Sequence, residues 1–301
     1  MKKVILNLLL ISFLANGFSQ EVDLFKADSA KTNEPPTPVI ATFKSTRIVH
    51  GHSIEMQAPG VLDFRVHHRF GELSQGLYDF FGLDNASTLI AFDYGLAKNL
   101  NIGVSRSTFL KQMEAFAKWR ILQQNTSNST PITATILAGV TNRTLDLFAA
   151  NGAKLTSSDK TQYYTQLMLA KKFNDNFSLQ ISPTVVHYNL VKNTTDANTL
   201  FSIGFGARHK LSKRVSLNAE YYLQTNTLSS PTPNQPYINS LAIGVDIETG
   251  GHVFQLHLTN ARGMTAPTYI HENNFAWDKG QIHFGFNISR VFVVKKPKEF
   301  R

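Results

Sequence analysis

The residues best placed for chemistry lie in one short run, Arg47-Ile-Val-His50-Gly-His52-Ser53-Ile-Glu55. Two histidines two positions apart on an extended chain project to the same side, an arrangement that can ligate a metal ion or a haem iron. His67 and His68 follow as sources of a third ligand. Neighbours on a strand point to opposite faces, so at most one of that pair can join such a site. Ser53 beside the histidines raises nucleophilic catalysis, which needs a base within hydrogen-bond reach and a third group to orient it. No motif arranges those three, so the chain is expected to be no enzyme, with no catalytic residue and no cofactor. Cysteine is absent, which removes thiolate metal sites, disulfides, a cysteine nucleophile and a lipid-anchored cysteine.

The elements around this run begin with MKKVILNLLLISFLANGFSQ, where two lysines precede a short apolar run and then small residues. This is the layout of a secretory signal, expected over 1–19 with cleavage near Ser19. The apolar run is too short for the roughly 20 residues of a spanning helix, and Asn7 interrupts it. Residues 20–58 follow, with Pro35, Pro36 and Pro38 excluding helix and central strand alike, and read as an extended periplasmic segment. The 30 Lys and Arg against 21 Asp and Glu make the chain basic, but scattered charge on an exported protein argues against nucleic acid.

From Gly60 onward, apolar and polar residues alternate with period two in segments of about ten residues, the pattern of half-buried strands. Phe201, Ile203, Phe205 and Ala207 oppose Ser202, Gly204, Gly206 and Arg208; Val215 to Leu223 and Leu241 to Ile247 repeat the pattern, as do Phe254 to Leu258 and Ile282 to Ile288. With the noisier segments 60–70, 86–97, 100–109, 112–124, 131–141, 161–172 and 176–190, about twelve strands result, an even number that suits a closed bacterial barrel. Short connections at 98–99, 125–130, 173–175, 211–213 and 250–251 alternate with long ones at 71–85, 142–160, 191–199, 225–238 and 261–279; the short link at 110–111 is the exception. A soluble β-sandwich shows the same alternation, but export, strand length and loop asymmetry favour an all-β, antiparallel, up-and-down transmembrane barrel over 59–294, in the outer membrane. Phe64, Phe70, Tyr94, Trp119, Phe173, Phe177, Tyr188 and Phe292 near strand ends suit interfacial girdles. Residues 295–301 form a basic tail.

The polar faces supply a lumen lined by Asp63, Arg65, Asp93, Glu114, Lys118, Arg120, Arg208, Glu220, Asp246, Glu248, His257 and His283. Such charges either line a watery path for small polar solutes or pair into a packed plug, and the lumen of a twelve-stranded barrel forces neither outcome. In this setting the His50 and His52 run reads better as a polar segment that plugs or seals the barrel base than as a metal site. Outer-membrane lipid and small polar solutes are the expected partners, and the oligomeric state is open.

The runs TRIVHGHSIEMQAPGVLDFRVHHRFGEL, YDFFGLDNASTLIAFDYGLAKNLNIGVSRSTF, FAKWRIL and the closing FGFNISRVF resemble a family of uncharacterised Bacteroidetes β-barrel proteins known as DUF5777. The likeness runs from about Thr46 to the end of the chain and is densest over 46–124. It implies an outer-membrane barrel and brings no known activity or catalytic residue.

Overall fold

A computed structural model of the protein describes residues 36–149, 151–230 and 235–295. The signal segment 1–19 and all of the basic tail 295–301 beyond Lys295 lie outside the described residues. Twelve strands form: β1 (Val61–Glu72), β2 (Ala86–Ala97), β3 (Leu100–Ser107), β4 (Gln112–Leu122), β5 (Thr133–Arg143), β6 (Thr161–Lys172), β7 (Phe177–Tyr188), β8 (Thr199–Lys210), β9 (Val215–Gln224), β10 (Ser240–Thr249), β11 (His252–Thr259) and β12 (His283–Val293). Each pairs antiparallel with its sequence neighbour, and β1 closes on β12 from Val61 opposite Val293 to Arg69 opposite Gly285. Closure leaves no strand edge unpaired, which a sheet in hydrocarbon requires.

The direction of the alternation separates a membrane barrel from a soluble sandwich. The side chains shielded inside are mostly polar, among them Ser105, Thr135, Gln166, Ser182, Asn218 and Gln255, whereas Ile90, Phe92, Val104, Phe205 and Leu256 stand on the outer surface. A soluble sandwich buries the opposite set. Phe64, Phe70, Tyr94, Trp119, Phe173, Phe177 and Phe292 face outward, as girdle residues must. Tyr188 does not: it sits in the inward register of Thr184 and Val186, is buried, and donates from its hydroxyl to the Pro267 carbonyl at 3.4 Å.

The short connections gather at one end of the barrel and the long ones at the other, with the four residues 108–111 linking β3 to β4. The long β11–β12 loop carries a short helix, α1 (Ala266–His271), whose six residues are all buried. Thr265 caps it in reciprocal contact with Thr268.

The stretch 20–58, read from sequence as an extended segment outside the barrel, differs in its described part. Residues 37–58 fold into the lumen. The chain enters at the short-turn end, where Val39 N–H donates to the Gln124 carbonyl (2.7 Å) and Thr126 N–H to that of Thr37 (3.0 Å). It turns back at Ile48–Gly51, closed by Ile48 N–H donating to the Gly51 carbonyl (2.8 Å), and leaves beside Gly95 to begin β1. Phe43, Ile48 and Ile54 join an internal apolar cluster with Phe116, Leu137, Tyr164, Tyr222 and Tyr269.

Gly95 shows how closely this segment is fitted. A Cβ there would stand 2.1 Å from the Ala58 carbonyl oxygen and 2.8 Å from that of Gln57, both backbone atoms. Gly95→Ala should therefore displace residues 57–58 and lower stability by about 1–3 kcal/mol, the usual cost of overpacking. Urea unfolding in detergent micelles checks this, and a midpoint within error of the parent would show the exit path to be loosely held.

Candidate functional site

The site is the filled lumen. Backbone that is neither helix nor strand carries unpaired N–H and C=O groups, and each must find a partner when shielded from water. Here the barrel wall supplies them. Glu220 on β9 accepts three consecutive amides of the hairpin tip, from Val49 (3.1 Å), His50 (2.7 Å) and Gly51 (3.1 Å). Gln180 on β7 accepts from Ile54 N–H (2.9 Å) and donates to the His52 carbonyl (2.8 Å). Lys118 on β4 donates to the carbonyls of Ser53 (3.0 Å) and Glu55 (2.6 Å), and Arg120 to that of Ile54 (3.2 Å). Arg208 on β8 reaches the carbonyls of Ala41 (2.8 Å) and Thr42 (3.2 Å), and Asn287 on β12 that of Val49 (3.0 Å). A Cβ at Gly51 would lie 1.8 Å from the Tyr222 hydroxyl, so a larger residue there requires the Tyr222 side chain to shift.

All twelve lumen residues named from the sequence face inward. Asp63, Arg65, Asp93, Glu114, Lys118, Arg208, Glu220, Asp246, His257 and His283 are buried, while Arg120 and Glu248 are half-buried towards the short-turn mouth. Several form groups: Arg65 bonds Asp63 at 2.7 Å, and the segment's own Arg47 pairs with Asp93 at 3.0 Å. Glu248 pairs with Lys44 at the mouth. Glu114 accepts from Ser105 (2.9 Å) and Tyr164 (2.8 Å), and Asp246 from Gln255 (2.6 Å). Sequence reasoning did not single out Arg69, Gln180, Gln255 and Asn287 for the lumen, although their inward parity on their strands was the available signal, nor Tyr269, which carries no periodic signal.

His50 and His52 hold other partners than a metal ion. A guanidinium only donates, so the contacts of His52 Nδ1 with Arg47 (2.8 Å) and of His50 Nδ1 with Arg69 (3.2 Å) make both Nδ1 atoms acceptors. The proton then sits on Nε2, and that of His50 is directed to Thr259 Oγ1 at 2.9 Å. Among the described residues no group of three His, Asp or Glu side chains could hold a metal ion. Of the pair considered as a third ligand, His67 faces the lumen and His68 the outer wall, stacked on Phe286 at 4.9 Å. Burial first, and then Arg69 for His50 and Arg47 for His52, hold both imidazoles of the segment well below the usual 6.5.

A second filling enters from the long-loop end. Tyr269 of α1 packs on His50 (ring centroids 5.3 Å) and on Tyr222 (5.0 Å). Thr265 donates to Gln112 at 2.6 Å, and an Arg143–Glu272 ion pair ties the loop to β5. Between the two fillings lies a cavity of about 10 Å³ lined by Arg47, His50, His52, His67, Glu114 and Tyr269, room for about one water.

A closed sheet with an apolar exterior, a polar interior and twelve antiparallel strands defines a membrane-embedded β-barrel. Within that class the chain belongs to the family described as a membrane-bound beta barrel domain (DUF5777), which it matches over residues 43–292. Solved structures with a similar fold include an outer-membrane channel from Pseudomonas putida F1 (9% identity, 79% of this chain and 97% of that chain, TM-score 0.50). The NanC porin (10% identity, 76% and 98%, TM-score 0.47) and the KdgM porin (8%, 77% and 99%, 0.46) align as well. At these identities the likeness speaks to fold alone. No curated protein matches the sequence.

The grip of Glu220 can be tested directly. Glu220→Gln keeps the size of the side chain but presents one carbonyl oxygen and an amide donor to three N–H groups. Charge-assisted hydrogen bonds contribute about 1.5–3 kcal/mol each, and their loss should lower the thermal midpoint and expose the hairpin tip. Because the chain has no cysteine, maleimide labelling of an Ile48→Cys background reads that exposure cleanly. Labelling at the rate of the Ile48→Cys protein with Glu220 intact would show that the tip is held by packing and not by the carboxylate.

Proposed function

We propose that the protein is an outer-membrane channel for small polar solutes that rests closed, stoppered by its own residues 37–58. The observation that carries this reading is the nature of the grip. The stopper is held largely by wall side chains bonding its backbone, contacts that water and solute can replace one for one, inside a wall that is mostly polar apart from the apolar cluster around Phe116 and Leu137. Its removal would leave a lumen lined by both signs of charge and by neutral hydroxyls and amides, a surface suited to polar solutes. The outer-membrane address is supported by the signal layout of residues 1–19 and by crossing with strands alone.

The reading includes no catalytic step. Ser53 Oγ donates to the Ser45 carbonyl at 2.6 Å, a bond that gives it a structural partner in the segment. A second reading, a permanently filled scaffold barrel, is favoured by the interlock of Tyr269 with His50 and Tyr222.

Acid separates the two. His50 and His52 have folded pKa values below the unfolded value of about 6.5, so the stability they lend the docked segment is complete above pH 6.5. It is lost progressively as the pH falls from there toward the folded values. Planar-bilayer recordings of the purified protein should therefore be nearly silent at pH 7.5 and show channel steps with rising open probability towards pH 5. Lys118→Met combined with Glu220→Gln should show the same steps already at pH 7.5. If both proteins give the heat-modifiable gel mobility of a folded barrel and stay silent at pH 5, the channel reading fails and the filled scaffold stands.

A further inference from the structure

The outer wall carries a feature that a uniform lipid-facing surface does not need. Strand register places Lys171, Leu179, Ala207, Ala219 and Ile243 in one row of directly paired residues across β6 to β10. The next outward row on the long-loop side is Leu169, Ile181, Phe205, Tyr221 and Leu241, and the row on the short-turn side includes Phe177, His209, Leu217 and Val245. Two alanines therefore face each other at the centre of a row whose flanking rows are bulky. The result is an open trough of about 530 Å³, floored by Ala207 and Ala219 and walled by Leu179, Ile181, Phe205 and Tyr221. That volume falls within the roughly 300–1,000 Å³ of ligand pockets.

The trough has a direction and a charged end. Four inter-strand steps of about 4.8 Å give it a length of roughly 19 Å, and strand tilt sets it oblique to the membrane normal. Its apolar floor ends at Lys171, one residue before the end of β6 on the short-turn side, where an interface must lie. The Lys171 ammonium sits 5.5 Å from the Phe173 ring centroid and makes no ion pair with any described carboxylate. A rod-shaped apolar ligand with an anion at one end matches both features.

We propose that this trough is a specific site for one anionic phospholipid, with an acyl chain lying along Ala207 and Ala219 and the phosphate on Lys171. The site rests on the membrane-barrel fold and is independent of whether the lumen opens. Neither alanine touches the lumen filling, so larger residues there leave the plug and the strand pairing intact.

The test is native mass spectrometry of the full-length mature protein extracted from vesicles of equal phosphatidylglycerol and phosphatidylethanolamine. The parent should retain one phosphatidylglycerol per barrel, enriched at least fivefold over phosphatidylethanolamine. Ala219→Phe, and independently Ala207→Phe, should cut retention of either lipid about tenfold, whereas Lys171→Gln should keep a bound lipid and lose the headgroup preference. Retention unchanged by both phenylalanine variants, or a parent indifferent to headgroup, overturns the site. A lipid-free parent dimer that either phenylalanine variant converts to monomer also overturns it, by making a second copy of the chain the occupant.

Discussion

The constraint on which the structure depends is that irregular backbone inside a barrel must have its polar groups satisfied by the wall. Residues 37–58 form neither helix nor sheet, yet their carbonyls meet Lys118, Arg120, Gln180, Arg208, Gln255 and Asn287, and the amides of the tip meet Glu220. These donors and acceptors come from six different strands. The wall acts as a template for one conformation of the hairpin, and this explains why charged residues are tolerated in the lumen at all. Lys118 and Arg208 are fixed by backbone carbonyls, and Glu220 by backbone amides, so each buried charge is hydrogen-bonded even where no opposite charge touches it.

How far this could be read from the chain follows from the range of each interaction. Strand existence, count and inward face are local, since each strand shows its own period-two pattern, and the sequence-derived lumen residues from Asp63 to His283 all follow from parity. The hairpin is different. His50 and Glu220 are 170 positions apart, and a segment whose partners are distributed around the whole barrel leaves no periodic trace of its own. The motif was legible as a polar stopper from its composition, whereas its depth, its tip at Ile48–Gly51 and its contact with Tyr269 depend on closure of the sheet. Tyr188 illustrates a narrower failure. Its place near a strand end suggested a girdle, but parity with Thr184 and Val186 outranks position along the strand.

The two fillings divide the lumen between opposite ends of the barrel and meet at His50. That histidine is held from four sides: its amide by Glu220, Nδ1 by Arg69, Nε2 by Thr259, and its ring by Tyr269. Tyr269 belongs to the long-loop end and His50 to a segment that enters from the other, so displacement of either ring removes packing from its counterpart. The contact links the two mouths without any strand having to move.

The wall also retains hydrogen-bonding capacity that its filling does not use. Ser202, Ser216 and Ser240 are buried, face the lumen, and have hydroxyls without a protein partner. Interiors packed once and for all rarely leave such groups, because each unmet donor or acceptor costs about 1–3 kcal/mol. Apolar side chains at those three positions would serve a permanent plug better. Small hydroxyls along neighbouring strands β8, β9 and β10 are what the proposed channel would need for the lining of a path that is at times wet.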